Sequence, residues 1–258
     1  MAKKWAKFPH PEKSYAYDAA ALKKNWARLH KGDWEVFPKE PAVADAWRHY
    51  HAGDFQTAVE AGLAAAGGGV NAAIKAQSIY ANYLEKNEAT KLALFEEAAA
   101  WGDKRRSEAP TDANAHYLYA YALGRYGQGI SVAKALAQGF GGKIKNALAT
   151  VLKLEPKHAE ACTAYGAYQA EVIDKVGALV AGMTYGAKKD SALEHFQKAL
   201  ELFPESPIAH IEYANGLLLL FGKGKIGEAS KLYEKAAAAT PADAMERLDV
   251  ELAKAELT

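Results

Sequence analysis

Ser191-Ala-Leu-Glu-His-Phe-Gln-Lys-Ala-Leu-Glu-Leu-Phe-Pro204 decides the fold through one spacing, with Ala192, Phe196, Ala199 and Pro204 standing four, three and five positions apart. The same spacing returns at Ala229, Tyr233, Ala236 and Pro241, and with other occupants at Ile144, Leu148, Val151 and Pro156. Steps of four and three put side chains on one face of a helix. Small residues there let a second helix come close, a ring between them fills the gap, and proline stops the helix. A unit repeated at fixed spacing predicts stacked copies of one helical element.

Outward from this stretch, each proline is followed by another helical pattern. Pro207–Leu220 has Tyr213-Ala214 at a large-then-small packing pair, the segment from Ala159 has Tyr165-Gly166, and that from Ala113 has Tyr119-Ala120. Together these spacings resemble the tetratricopeptide (TPR) hairpin. Ala46…Tyr50-His-Ala-Gly53-Asp54-Phe55-Gln-Thr-Ala58 looks like the turn of a further hairpin, and Asn71–Leu84 with Asn87–Ala109 makes a divergent pair. Alternating Val/Ile/Thr runs of the kind that form strands are missing. The expected fold is all-α, a TPR-like right-handed superhelix of antiparallel helix hairpins with long insertions. Residues 1–37 read as a basic N-terminal arm and helix, 38–241 as the hairpins and 242–258 as a C-terminal capping helix.

Helix starts are marked by Asp18, Pro41, Asp54, Asp112 and Ser206-Pro207, and by Ser191 with Glu194 as a capping box, Asp190 being another candidate cap. Between Leu123 and Ile144, and between Glu171 and Ala192, the chain is roughly 12–14 residues longer than a 34-residue unit needs. Both excesses are Gly-rich and moderately apolar. Either they line the groove or they pack on the convex side.

Residues 88–257 are similar to the TPR-like domain of the regulator of microtubule dynamics family and its bacterial relatives. The likeness rests on Ala113-Asn-Ala-His-Tyr-Leu-Tyr-Ala120, on Gly141-Gly-Lys-Ile-Lys-Asn-Ala-Leu148 before Leu154-Glu-Pro156, on the stretch to Tyr185-Gly186, and on Ala192–Pro204. It implies interaction with proteins or, in some members, with lipid. A membrane anchor like that of some relatives is not expected here.

The 258 residues carry 32 Lys+Arg against 31 Asp+Glu, a net +1, so no overall field draws the chain to nucleic acid. Residues 1–31 nevertheless hold Lys3, Lys4, Lys7, Lys13, Lys23, Lys24, Arg28 and Lys31 against Glu12 and Asp18, a local +6 that leaves −5 for the remainder. Such an arm either lies across the body's acidic surface or docks an acidic partner. A single cysteine, Cys162, forms no disulfide within the chain, and no apolar run has signal-peptide or membrane-spanning length. A cytoplasmic location, with no integral membrane segment, is the expectation.

Templates for catalysis fail. Gly222-Lys-Gly-Lys-Ile-Gly227 spells GxGxxG but falls between two helices instead of after a strand. No HExxH or GxSxG occurs, and His49 and His51 stand two apart, pointing in different directions from a helix. The chain reads as a non-enzyme with no cofactor and no metal. In TPR proteins certain first-helix positions face the concave side. Carried over, they predict a partner-binding surface at Tyr117, Tyr121 and Arg125, at Thr163, Ala167 and Glu171, and at Ile208, Ile211 and Asn215. Lys175 joins them through a Tyr168, Glu171, Lys175 face, with Glu171 and Lys175 spaced for an i,i+4 ion pair. The expected function is a scaffold binding a protein or peptide segment in a concave groove. The alternative is a carrier for a hydrophobic small molecule or lipid.

Overall fold

The computed structural model describes residues 4–258; Lys3 of the basic arm lies outside the described residues. Helices follow one another as α1 (Ala19–Leu29), α2 (Pro41–Ala52), α3 (Phe55–Ala65), α4 (Gly69–Tyr83), α5 (Glu88–Glu108), α6 (Ala113–Gly129) and α7 (Val132–Ala137). They continue as α8 (Phe140–Leu154), α9 (Ala159–Val180), α10 (Lys189–Leu202), α11 (Pro207–Phe221), α12 (Ile226–Ala237) and α13 (Ala244–Ala255). No strand occurs among the described residues. Hairpins pair α2 with α3, α4 with α5, α6 with α8, α9 with α10, and α11 with α12, and each second helix packs on the next first helix.

The repeat residues perform the packing their spacing implies. Phe196 is wholly buried between α9 and α11, where a Cβ at Gly166 would come within 2.9 Å of its ring and one at Gly216 within 2.4 Å. Ala192, Ala199, Ala229 and Ala236 are buried beside their neighbouring helices. At the α2–α3 turn Gly53 has φ +83, a left-handed conformation that glycine adopts without strain.

Asp18, Asp112 and Ser206 accept from Ala21, Ala115 and Ala209 as helix caps. Two expected caps differ. Asp54 stands before α3 but its side chain makes no cap bond and lies 3.4 Å from His49. The Ser191–Glu194 box is bypassed because α10 already begins at Lys189, ahead of both residues.

The arm is held by rings more than by charge. Trp5 stacks on Tyr80 at 4.0 Å between centroids, and Phe8 and Tyr15 are buried against α2 and α3. Lys4, Lys7 and Lys13 stay exposed, whereas Arg28 pairs with Glu246 at 2.6 Å and Lys31 with Glu205 at 2.9 Å.

The row of first helices α2, α4, α6, α9 and α11 continues into α13, and α13 returns to touch α2. The last helix therefore lies across the inner side of the row. A buried chain of contacts secures the closure: Asp33 to His30 Nδ1 at 2.9 Å, His30 Nε2 to His51 Nε2 at 3.2 Å, and His51 Nδ1 to Asp243 at 2.7 Å.

The two insertions take different places. The first becomes the end of α6, the short α7 and the start of α8, folded over the inner side. The second prolongs α9 beyond Gly177 (φ +79) into a wide turn over Ala181–Tyr185, leaving Leu179 and Met183 exposed at 76% and 81%.

Candidate functional site

What remains of the inner side is a cavity of about 130 Å³, open to solvent at its mouth, between α4, α6, α9, α11, α13 and the α7–α8 insertion. Its deep polar wall grows from α4. Asn71–Ala81 is small and apolar apart from a few polar residues and one charge, Lys75, which the fold buries. The loop after α1 brings Asp33 to that ammonium, and Glu160, in the first turn of α9, accepts from it at 3.0 and 3.1 Å. Asp33 and Glu160 hold Lys75 above the usual lysine range despite burial, and the Lys75 ammonium with His30 in turn keeps Asp33 well below the usual carboxylate range against its own burial. Burial pushes Glu160 up, against the ammonium beside it. The Tyr117 hydroxyl is hydrogen-bonded to Glu160.

The loop is itself fixed from the hairpins. Asn114 donates to the Asp33 carbonyl at 3.0 Å, and the Glu160 amide donates to the Gly32 carbonyl at 3.0 Å. His158 accepts the Ala161 amide on Nδ1, so its Nε2 carries the hydrogen donated to Asn114 at 3.0 Å. Burial pulls this neutral imidazole down to a pKa of about 3.

The opposite wall is apolar. Val132, Ala135 and Leu136 of α7, Phe140, Ile144 and Leu148 of α8, and Tyr168 and Val172 of α9 line it. At the mouth Arg125 donates to Glu212 at 2.7 Å and to Gln128 at 3.1 Å, its guanidinium 5.3 Å from the Tyr121 ring centre. Glu171 accepts from Gln128, and burial with Glu212 nearby raises its pKa to about 7. On the α13 side Met245 and Asp249 complete the lining, with Tyr83 of α4 donating to Asp249 Oδ1.

Of the residues the sequence singled out, Tyr117, Tyr121, Arg125, Thr163, Ala167, Glu171 and Ile208 line this cavity. Asn215 lies in a shallower depression beside the mouth, with Arg125, Glu171, Leu218 and Leu219, and accepts from Tyr233. Ile211 is buried in the core between α11 and α12. Lys175 lines neither cavity wall; it sits 3.5 Å from Asp174, while Glu171 bonds Gln128, so the expected Glu171–Lys175 pair gives way to these partners. The spacing missed Lys75, Tyr83, Met245 and Asp249. A lone lysine amid Ala, Ile and Tyr was the available signal for Lys75; nothing local marks Asp249, because α13 reaches the cavity only by folding back. Gly222–Lys225 forms the turn between α11 and α12, and Cys162 is buried, its thiol pushed up to about 11.

Stacked antiparallel hairpins with rings wedged between glycines and alanines, and a lined inner cavity, define a TPR-like helical repeat protein. Among solved structures the chain is similar to TTC0263, a thermophilic TPR protein of Thermus thermophilus, at 17% identity and a TM-score of 0.57, over 83% of this chain and 97% of that one. The chain belongs to the regulator of microtubule dynamics protein 1-3 family, whose sequence model matches residues 71–257. That match spans α4 to α13 and so contains every cavity-lining residue. No curated protein matches the chain. Among the described residues no helix is long and apolar enough to cross a membrane, and no group of three or more His, Cys, Asp or Glu is arranged to hold a metal ion.

Proposed function

We propose that this chain is a non-catalytic binding scaffold whose inner cavity receives an elongated, mostly apolar group, making it a carrier or receptor for a hydrophobic small molecule or lipid. The observation that carries this reading is the insertion: α7 and the start of α8 fold inward and turn an open groove into a cavity with an apolar wall. Concave, mostly apolar sites with a few placed polar groups are the usual form of small-molecule sites. Leu136, Phe140, Ile144 and Leu148 would take the chain of such a ligand, and the mouth at Arg125, Gln128 and Glu171 would admit it. Native mass spectrometry of the purified protein should show a retained ligand, lost in Ala167→Trp, which places an indole in the mouth. A wild-type mass equal to the bare chain, together with no uptake of added alkyl chains, counts against this reading.

A second reading keeps the partner segment. The depression around Asn215 continues from the mouth along Leu218 and Leu219, the latter 37% exposed, and offers an apolar strip to a peptide. The TPR-like fold and the family support protein interaction in general. Leu218→Arg with Leu219→Arg should abolish partner capture and leave ligand retention intact if both readings hold.

A further inference from the structure

Acidic side chains lining the cavity outnumber basic ones. Two cations, Lys75 and Arg125, face four carboxylates, Glu160, Glu171, Glu212 and Asp249. Both cations are already spoken for. Lys75 is bonded to Glu160 and to Asp33 behind it, and Arg125 to Glu212. Asp249 is left with one neutral donor. It is only 1% exposed, its Oδ1 takes the Tyr83 hydroxyl, and its Oδ2 has no hydrogen-bond partner. A buried carboxylate oxygen without a donor is costly, and such vacancies in a site call for a complementary group. Burial, with Glu246, Asp243 and Glu160 nearby, raises Asp249 well above the usual carboxylate range, so on its own it holds a proton, which it would release to solvent when a cation takes its place at Oδ2.

We infer that the cavity selects ligands carrying an amine or other cationic donor at the end that reaches Asp249, with an uncharged hydrocarbon chain on the α7–α8 side. This rests on the proposed apolar-ligand reading and narrows it. The donor would satisfy Asp249 Oδ2, in a cavity that Tyr83, Tyr117 and Tyr121 also line. The same wall argues against a fatty acid or a phosphate-headed lipid entering head first, since each would bring an anion to a cavity whose two cations are already paired.

Titration of the full chain with decylamine, decanol and decanoate, below their aggregation concentrations and followed by calorimetry, tests this. Decylamine should bind about tenfold or more tightly than decanol, with decanoate weakest, as expected of one charge-assisted hydrogen bond made out of water. Asp249→Asn should bring decylamine down to the level of decanol while leaving decanol unchanged. Decanoate binding as well as decylamine, or an undiminished amine preference in Asp249→Asn, would overturn the inference and leave the apolar-ligand reading standing. Failure of all three chains to bind overturns both. The wild-type ranking alone decides the matter should the variant fold poorly.

Discussion

At the scale of single residues, the packing of Phe196 shows why glycine is required at two positions 50 residues apart. Its ring is clamped between the backbones at Gly166 and Gly216, with prospective Cβ contacts of 2.9 and 2.4 Å. A ring pinned on both sides has no rotamer to retreat into, so Gly216→Ala should destabilise the fold by about 1–3 kcal/mol, the usual range for overpacking. Phe196→Ala should cost about 3–5 kcal/mol through the cavity it leaves. Urea unfolding of the two variants measures both; a Gly216→Ala protein as stable as wild type would mean that α9 and α11 can slide apart. The Phe196 and Gly166 side of this clamp was legible in the sequence, because small and aromatic residues at fixed spacing have few other uses, whereas on α11 the spacing pointed to Ala214 and not to Gly216. Asp249 was not, since its significance comes from a vacancy that appears only when a distant helix arrives.

At the scale of elements, the hairpin order from α2 to α12 followed from proline spacing and apolar periodicity. Local chemistry of that kind is written within one or two turns. The route of α13 was not, because an amphipathic helix at the end of a row can cap the last hairpin or fold back, and both choices bury the same face. Here Arg28 of α1 settles it with a double contact to Glu246, at 2.6 and 2.9 Å. Arg28→Ala should leave the buried Glu246 carboxylate without its cation and cost about 1–3 kcal/mol, less than a fully buried pair because the Arg28 guanidinium is partly exposed and screened. The further change Glu246→Gln should recover part of that loss. A double variant no better than the single one would show that packing, not charge, holds α13 in place. Likewise the insertion around α7 advertised itself by length and glycine content, but its inward turn depends on Leu136 and Phe140 finding an apolar wall on α6 and α9.

At the scale of the whole molecule, buried titratable groups set opposing trends with pH. Burial pulls His30 and His210 down to about 4 and His158 to about 3. These rings are neutral in the fold but take up protons in the unfolded chain below 6.5, so they withdraw stability as pH falls from 6.5 toward 4. Glu35, raised to about 8, and Glu171, raised to about 7, act the other way. Each keeps its proton in the fold where the unfolded chain has released it above 4.5, so stability is lost as pH rises through that range. Above 6.5 the carboxylates act alone. The melting temperature should therefore decline from pH 6.5 to 8.5, and Glu35→Gln should flatten that decline; parallel curves for the two proteins would count against it. Closure of the inner row by α13 has one more result. In an open stack each repeat leans only on its neighbours and the outermost ones open first. With its first and last hairpins clasped, this chain has no outermost repeat, and amide hydrogens in α2 and α12 should exchange with solvent nearly as slowly as those in α9, in a single concerted opening.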